Sequence, residues 1–191
     1  MKTICVYCSS SDAVAPEFVS AAESLGKGIG SRGLTLVFGG CKVGLMGAVA
    51  RATKSAGGKV IGVIPDSMHA RGIAWEGCDE VVVTHDMAAR KLNMESHADA
   101  FIALPGGFGT LEEITQAITL KQLQYHEKPV VFINTNGFYD PLLAFFEHTY
   151  ELNFAKASYR ELYHVAANTE EVFGYLERYS PPKLASKWFE K

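Results

Sequence analysis

A three-layer α/β fold around a mostly parallel sheet of roughly seven strands follows from three features of this 191-residue chain. Short β-rich runs alternate with longer segments of helical apolar spacing almost to its end. Most of the short runs are apolar throughout, as strands covered on both faces are. Several close on glycines or small polar residues, at the end of the sheet where such folds gather ligands.

Taken in order, Thr-Ile-Cys-Val-Tyr at 3–7 reads as the first strand, and a helix follows at 16–31, opened by a proline. The apolar run 34–38 is the second strand, and past a glycine cluster the pattern turns helical at 45–56. Residues 59–64 and 80–84 are the third and fourth strands. On a helix at 86–97, Met87, Arg90 and Met94 share one face. The fifth strand, 99–104, leads to a helix at 111–124 with Ile114, Ala117, Ile118 and Leu123 on its apolar side. A strand at 129–134 and a helix at 139–152 come next, then a strand at 162–166 and a helix at 169–179. This βαβ repetition makes the fold Rossmann-like. No linker or repeat divides residues 1–191, so one nucleotide-binding domain is expected. Only the tail at 181–191 reads as peripheral, with Trp188 and Phe189 placed to dock on a neighbour.

A composition of 48% hydrophobic and 20% charged residues suits a globular domain of this size, which can bury a core without disulfides or metals. The net charge of -3 supplies no basic field for nucleic acid. No apolar run approaches a membrane span, and the first residues are too soon polar for a signal peptide. Four cysteines without a secretory signal point to a reduced cytoplasm. Cys5 and Cys8 lie three apart on a strand and so face opposite ways, which argues against a redox pair. Cys41 and Cys78 have no His pair to complete a zinc spacing, so neither metal nor cofactor is expected.

The most informative stretch is Leu104-Pro105-Gly106-Gly107-Phe108-Gly109-Thr110-Leu111-Glu112-Glu113. A strand, a glycine turn and a helix start make an anion site, because the backbone can approach a phosphate and the first helical N–H groups point at it. Glu112 and Glu113 follow within the helix, facing some other part of the ligand. Thr110 and Glu113 also have capping-box spacing, in which they would only satisfy helix donors. A cap does not need three glycines, so the binding reading is favoured. Ser9-Ser10-Ser11-Asp12 fits equally a turn with a helix cap or the lining of a nucleotide pocket. Gly39 and Gly44 have the glycine spacing of a P-loop, but Leu45-Met46 replaces the Lys-Ser/Thr pair, which argues against triphosphate handling, and Gly47 reads as a tight turn packing a helix on the sheet. The cluster reads as a second wall of the site. Arg90 is either a solvated surface residue beside Lys91 or a fork gripping phosphate or ribose. Glu112, Gln116 and Thr119 fall near one side of their helix.

Together these segments resemble the LONELY GUY family of cytokinin riboside 5′-monophosphate phosphoribohydrolases, long mislabelled as lysine decarboxylases. The resemblance rests on Gly39-Gly40 with Gly44-Leu45-Met46-Gly47, Met87 with Arg90-Lys91, and Pro105-Gly106-Gly107 with Gly109-Thr110 and Glu113. Gln122-Leu123, His126, Lys128-Pro129 and Gly137-Phe138-Tyr139 match as well, so it runs to about Leu152. It implies cleavage of the N-glycosidic bond of an adenosine-type 5′-monophosphate, with Arg90 and Glu113 as the catalytic pair. Lys91, Gly107, Phe108, Gly109, Thr110, Leu111, Glu112 and Thr119 become substrate contacts, beside Ser9, Gly39 and Gly40 from the loop readings above. It also implies a homodimer with sites near the interface, and no cofactor. The chain departs from the pattern at Gly72, where many relatives carry glutamate and Glu76 is a candidate replacement, at Ala88-Ala89 and at Leu120, where tryptophan is common. The departures bear on base or prenyl specificity. A general AMP nucleosidase and a non-catalytic nucleotide-binding module are the alternatives. A pyridoxal-phosphate decarboxylase is excluded, since 191 residues show no Schiff-base lysine in a cofactor framework.

Overall fold

A computed structural model describes residues 1–183, so the expected docking residues Trp188 and Phe189 lie outside the described residues. The strands are β1 (Thr3–Tyr7), β2 (Thr35–Phe38), β3 (Lys59–Pro65), β4 (Glu80–Thr84), β5 (Ala100–Ala103), β6 (Val130–Ile133) and β7 (His164–Ala166). They form one seven-stranded sheet in the order β4-β3-β2-β1-β5-β6-β7, with every neighbouring pair parallel. The helices are α1 (Pro16–Ser31), α2 (Gly44–Ser55), α3 (Asp66–His69), α4 (Met87–His97), α5 (Phe108–Gln122), α6 (Asp140–Glu151) and α7 (Thr169–Arg178).

The layers follow from the pleat. Ile4 and Val6 of β1 enter one core, where Leu25 and Ile29 of α1, Leu45 and Val49 of α2, and Val172 and Phe173 of α7 cover them. Cys5 and Tyr7 enter the other, with Met94 of α4, Ile114 and Ala117 of α5, and the partly buried Leu143 and Phe146 of α6. An apolar residue at every position of a central strand is therefore used, each large side chain contributing ~1.5–3 kcal/mol by leaving water. Edge strand β4 is the exception, with Val81 and Val83 exposed. Among the described residues no helix is long and apolar enough to cross a membrane.

Strand order reverses between β1 and β5, and the crevice at that point opens beyond their carboxyl ends. Two element starts differ from expectation by two residues or more. Helix α5 begins at Phe108 instead of 111, because the glycine turn is itself the first helical turn. Glycine there costs at most ~1 kcal/mol, and first-turn N–H groups need no intrahelical acceptor. Strand β7 starts at His164, since Leu162 closes a 3-10 segment, Ala157–Leu162. The one-turn α3 was not expected and matters to the site below.

Candidate active site

A cavity of about 590 Å³ occupies the crevice and is lined from the carboxyl ends of β1, β2, β3 and β5. The polar and backbone lining comes from Ser9, Ser10 and Ser11 together with Gly107, Gly109 and Thr110, beside the exposed Phe108. The apolar lining comes from Val43, Met46, Met68, Ile73 and Met87. Arg90, Glu112 and Glu113 also line the cavity. Serines, glycines and three charged residues are thus gathered from sequence positions a hundred residues apart by a single sheet edge.

The start of α5 is an open anion seat. Gly107 is the N-cap, with extended backbone and no side-chain capping bond. Leu111 N–H donates to the Gly107 carbonyl at 3.0 Å, whereas the N–H groups of Phe108, Gly109 and Thr110 have no protein acceptor among the described residues. A Cβ built on Gly107 or Gly109 would meet no atom within 4 Å, so a ligand can reach the backbone itself. Unpaired donors at a helix N-terminus carry a partial positive charge and hold phosphate.

The capping-box reading of Thr110 and Glu113 is corrected by this geometry. Thr110 lies inside the helix, and the Glu113 carboxylate turns away from backbone to the Arg90 guanidinium, with Nη1 to Oε1 at 2.7 Å. Both side chains are about 6% exposed. The surface reading of Arg90 is corrected as well. Its Nε donates to the Val63 carbonyl at 3.1 Å, which fixes the fork against β3. A Cβ on Gly39 would stand 2.0 Å from Nη2, so the absence of a side chain there leaves room for the guanidinium. Burial raises the pKa of Glu113 above the ordinary 4.5, opposed by the charge of Arg90 and its hydrogen bond. A charge-assisted pair buried to this degree is rigid, and losing either partner strands the other in low dielectric.

Other expected residues are used differently. Lys91 is held by Glu112 and donates to Gln116 at 2.8 Å, and Gln116 donates to Glu95 at 2.7 Å. The polar side of α5 therefore faces α4. Lys91 and Leu111 do not line the cavity, and neither does Gly40, which lies beside it at φ +75°. Thr119 is exposed far along α5, with its hydroxyl donating to the Thr115 carbonyl at 2.8 Å. Gly72 is a left-handed residue whose carbonyl accepts from the Lys42 ammonium at 2.6 Å. Glu76 is exposed and outside the cavity lining, so it does not replace the missing glutamate. The segment after β2 supplies Gly39, Cys41 and Val43 to the site, and α2 adds Met46. Met68 and Ile73 went unnoticed in the sequence. Their signal was position alone, in the segment that leaves the carboxyl end of β3. All four cysteines are free, and Cys8 and Cys41 line the cavity.

Residues 46–176 match a family described as "Possible lysine decarboxylase". A probable cytokinin riboside 5′-monophosphate phosphoribohydrolase of Oryza sativa subsp. japonica is 43% identical over 97% of this chain and 77% of its own length. A cytokinin riboside 5′-monophosphate phosphoribohydrolase of Arabidopsis thaliana is 43% identical over 97% of this chain and 88% of its own. Among solved structures, the Moco carrier protein of Chlamydomonas reinhardtii is 26% identical, with a TM-score of 0.70 over 93% of this chain and 96% of that one. A molybdenum cofactor binding protein of Rippkaea orientalis, at 24% identity and TM-score 0.71 over 93% of this chain and 96% of that one, shares the fold.

Proposed function

The chain belongs to the LONELY GUY family, that of the cytokinin riboside 5′-monophosphate phosphoribohydrolases, and from that premise we propose that it hydrolyses the N-glycosidic bond of cytokinin riboside 5′-monophosphates, and of AMP, to free base and ribose 5-phosphate. The observation that carries the reading is one cavity in which the unpaired α5 N–H groups and the buried Arg90–Glu113 pair stand together. The helix terminus takes the 5′-phosphate. Glu113 faces the ribose, where its carboxylate stabilises developing oxocarbenium charge and orients the attacking water. The C1′–N bond breaks, water oxygen bonds to C1′, and the water proton ends on the departing base. Arg90 keeps the carboxylate placed and presents its free edge to the substrate. Remote phosphate binding then aligns the scissile bond.

The apolar lining of Met46, Met68, Ile73 and Met87 favours an alkylated base over plain adenine. No lysine lines the cavity among the described residues, which supports hydrolysis over an amine-dependent decarboxylation. Residues 1–191 serve as one catalytic domain that needs no cofactor. A homodimer is supported by the apolar side chain of Leu92, 68% exposed on α4. The free thiols suit the cytoplasm. Incubation with AMP, isopentenyladenosine 5′-monophosphate and its riboside, with chromatography of the products, tests the reading. Base released from a monophosphate but not from the riboside is the expected result, and base from none would leave a nucleotide-binding protein.

A further inference from the structure

The segment Gly137-Phe138-Tyr139 has no part in the chemistry above, and Tyr139 does not line the cavity. Its placement is nonetheless specific. After β6 the chain turns through Thr135–Gly137, and Asn134 braces the turn from both ends. The Asn134 Oδ1 accepts from Tyr139 N–H at 2.7 Å, while its Nδ2 donates to Asp140 Oδ1 at 2.7 Å. The Tyr139 ring is thereby driven under the sheet edge, 1% exposed, and stacks edge-on against Phe132 with centroids 4.9 Å apart. Its hydroxyl then donates to the Leu104 carbonyl at 2.7 Å.

Leu104 is the last residue before Pro105-Gly106-Gly107, and it is fully buried. Its N–H donates to Tyr7 of β1 at 3.0 Å, and the next carbonyl, of Pro105, accepts from Ser9 N–H at 3.2 Å. Pro105 itself has no N–H to donate. The entry to the anion seat is therefore held by β1 on one side and by one phenol on the other. We propose that Tyr139 is a positioning residue for phosphate binding: its hydroxyl fixes the Leu104 carbonyl and through it the angle at which the first turn of α5 presents its N–H groups. The inference rests on the phosphate seat proposed above. Burial drives the phenol pKa above its ordinary range, so the hydroxyl is protonated and donates at neutral pH.

The test is binding of ribose 5-phosphate by calorimetry to the full-length protein and to Tyr139→Phe, with two controls. Tyr159→Phe removes a second buried hydroxyl, one that has no partner among the described residues, from the neighbouring cluster of Tyr150 and Leu162. Val172→Ala destabilises the core from α7 without touching the seat. Tyr139→Phe is expected to weaken binding about tenfold, equivalent to ~1.4 kcal/mol, at neutral pH, with both controls binding like wild type. Wild-type affinity in Tyr139→Phe overturns the proposal, as does an equal loss in Val172→Ala, which would reduce Tyr139 to a core residue. Parallel turnover assays separate the two readings: a wild type that binds ribose 5-phosphate yet releases no base overturns the reaction and leaves the tether standing on its own binding result.

Discussion

Helices α2 and α5 start alike in sequence, each from a glycine turn at the carboxyl end of a strand, and end with opposite roles. At α2 the Ser9 carbonyl accepts from Leu45 and Met46 N–H at 2.9 and 3.3 Å, and Asp12 Oδ1 accepts from Gly44 N–H at 2.7 Å. The protein itself occupies the positive end of that helix. At α5 the first-turn donors have no protein acceptor among the described residues. The sixth residue repeats the contrast, being core Val49 in α2 and the buried acid Glu113 in α5. Glycine spacing marks where a backbone comes close to something. Whether that something is a substrate or a neighbouring loop is a tertiary matter.

The comparison is broken most directly at Glu113. Glu113→Gln is expected to lower turnover about 100-fold or more with the fold retained by circular dichroism. A loss of about threefold or less, ~0.7 kcal/mol, would remove the catalytic assignment and leave α5 a binding element like any other.

The glycines give the next largest effect. Gly44 has φ +61°, and a Cβ there would stand 2.5 Å from the Ser10 carbonyl carbon, so Gly44→Ala should cost ~2–4 kcal/mol in urea unfolding. Gly109→Ala meets open space and should leave stability within ~0.5 kcal/mol while raising KM for the monophosphate about tenfold. Reversed outcomes would exchange the roles of the two turns. Asp12→Ala is a milder probe, expected to cost ~1 kcal/mol as the loss of a helix cap, read from the thermal midpoint.

The smallest effect is in pH. Because burial raises Glu113 above 4.5, it protonates at a pH where an exposed glutamate is still ionised. The acid limb of kcat/KM should therefore lie above pH 4.5. Stability runs the other way, since the protonated acid is the form the fold prefers and that contribution fades as pH rises through the raised pKa. The nearby positive charge of Lys91 lowers the Glu113 pKa, so Lys91→Met should move the limb further toward neutral. An acid limb at or below 4.5 would mean that Glu113 is hydrated in solution.

The chain alone specifies the sheet and its layers, because an apolar residue at every position of β5 and β6, and at all but the first of β1, suits a parallel sheet covered on both faces. It also specifies the anion seat, since Gly107 and Gly109 act through their own backbone. The fates of Arg90 and Gln116 were not legible there. Each depends on what a second helix brings opposite: Glu113 draws Arg90 inward, and Lys91 and Glu95 draw Gln116 toward α4. Met68 was beyond reach for the same reason, as its role comes from the segment that follows β3 and from no motif. Local pattern encodes what a residue does with its own neighbours in the chain, whereas the partner of a charged or amide side chain is settled only when the sheet order sets helix against helix.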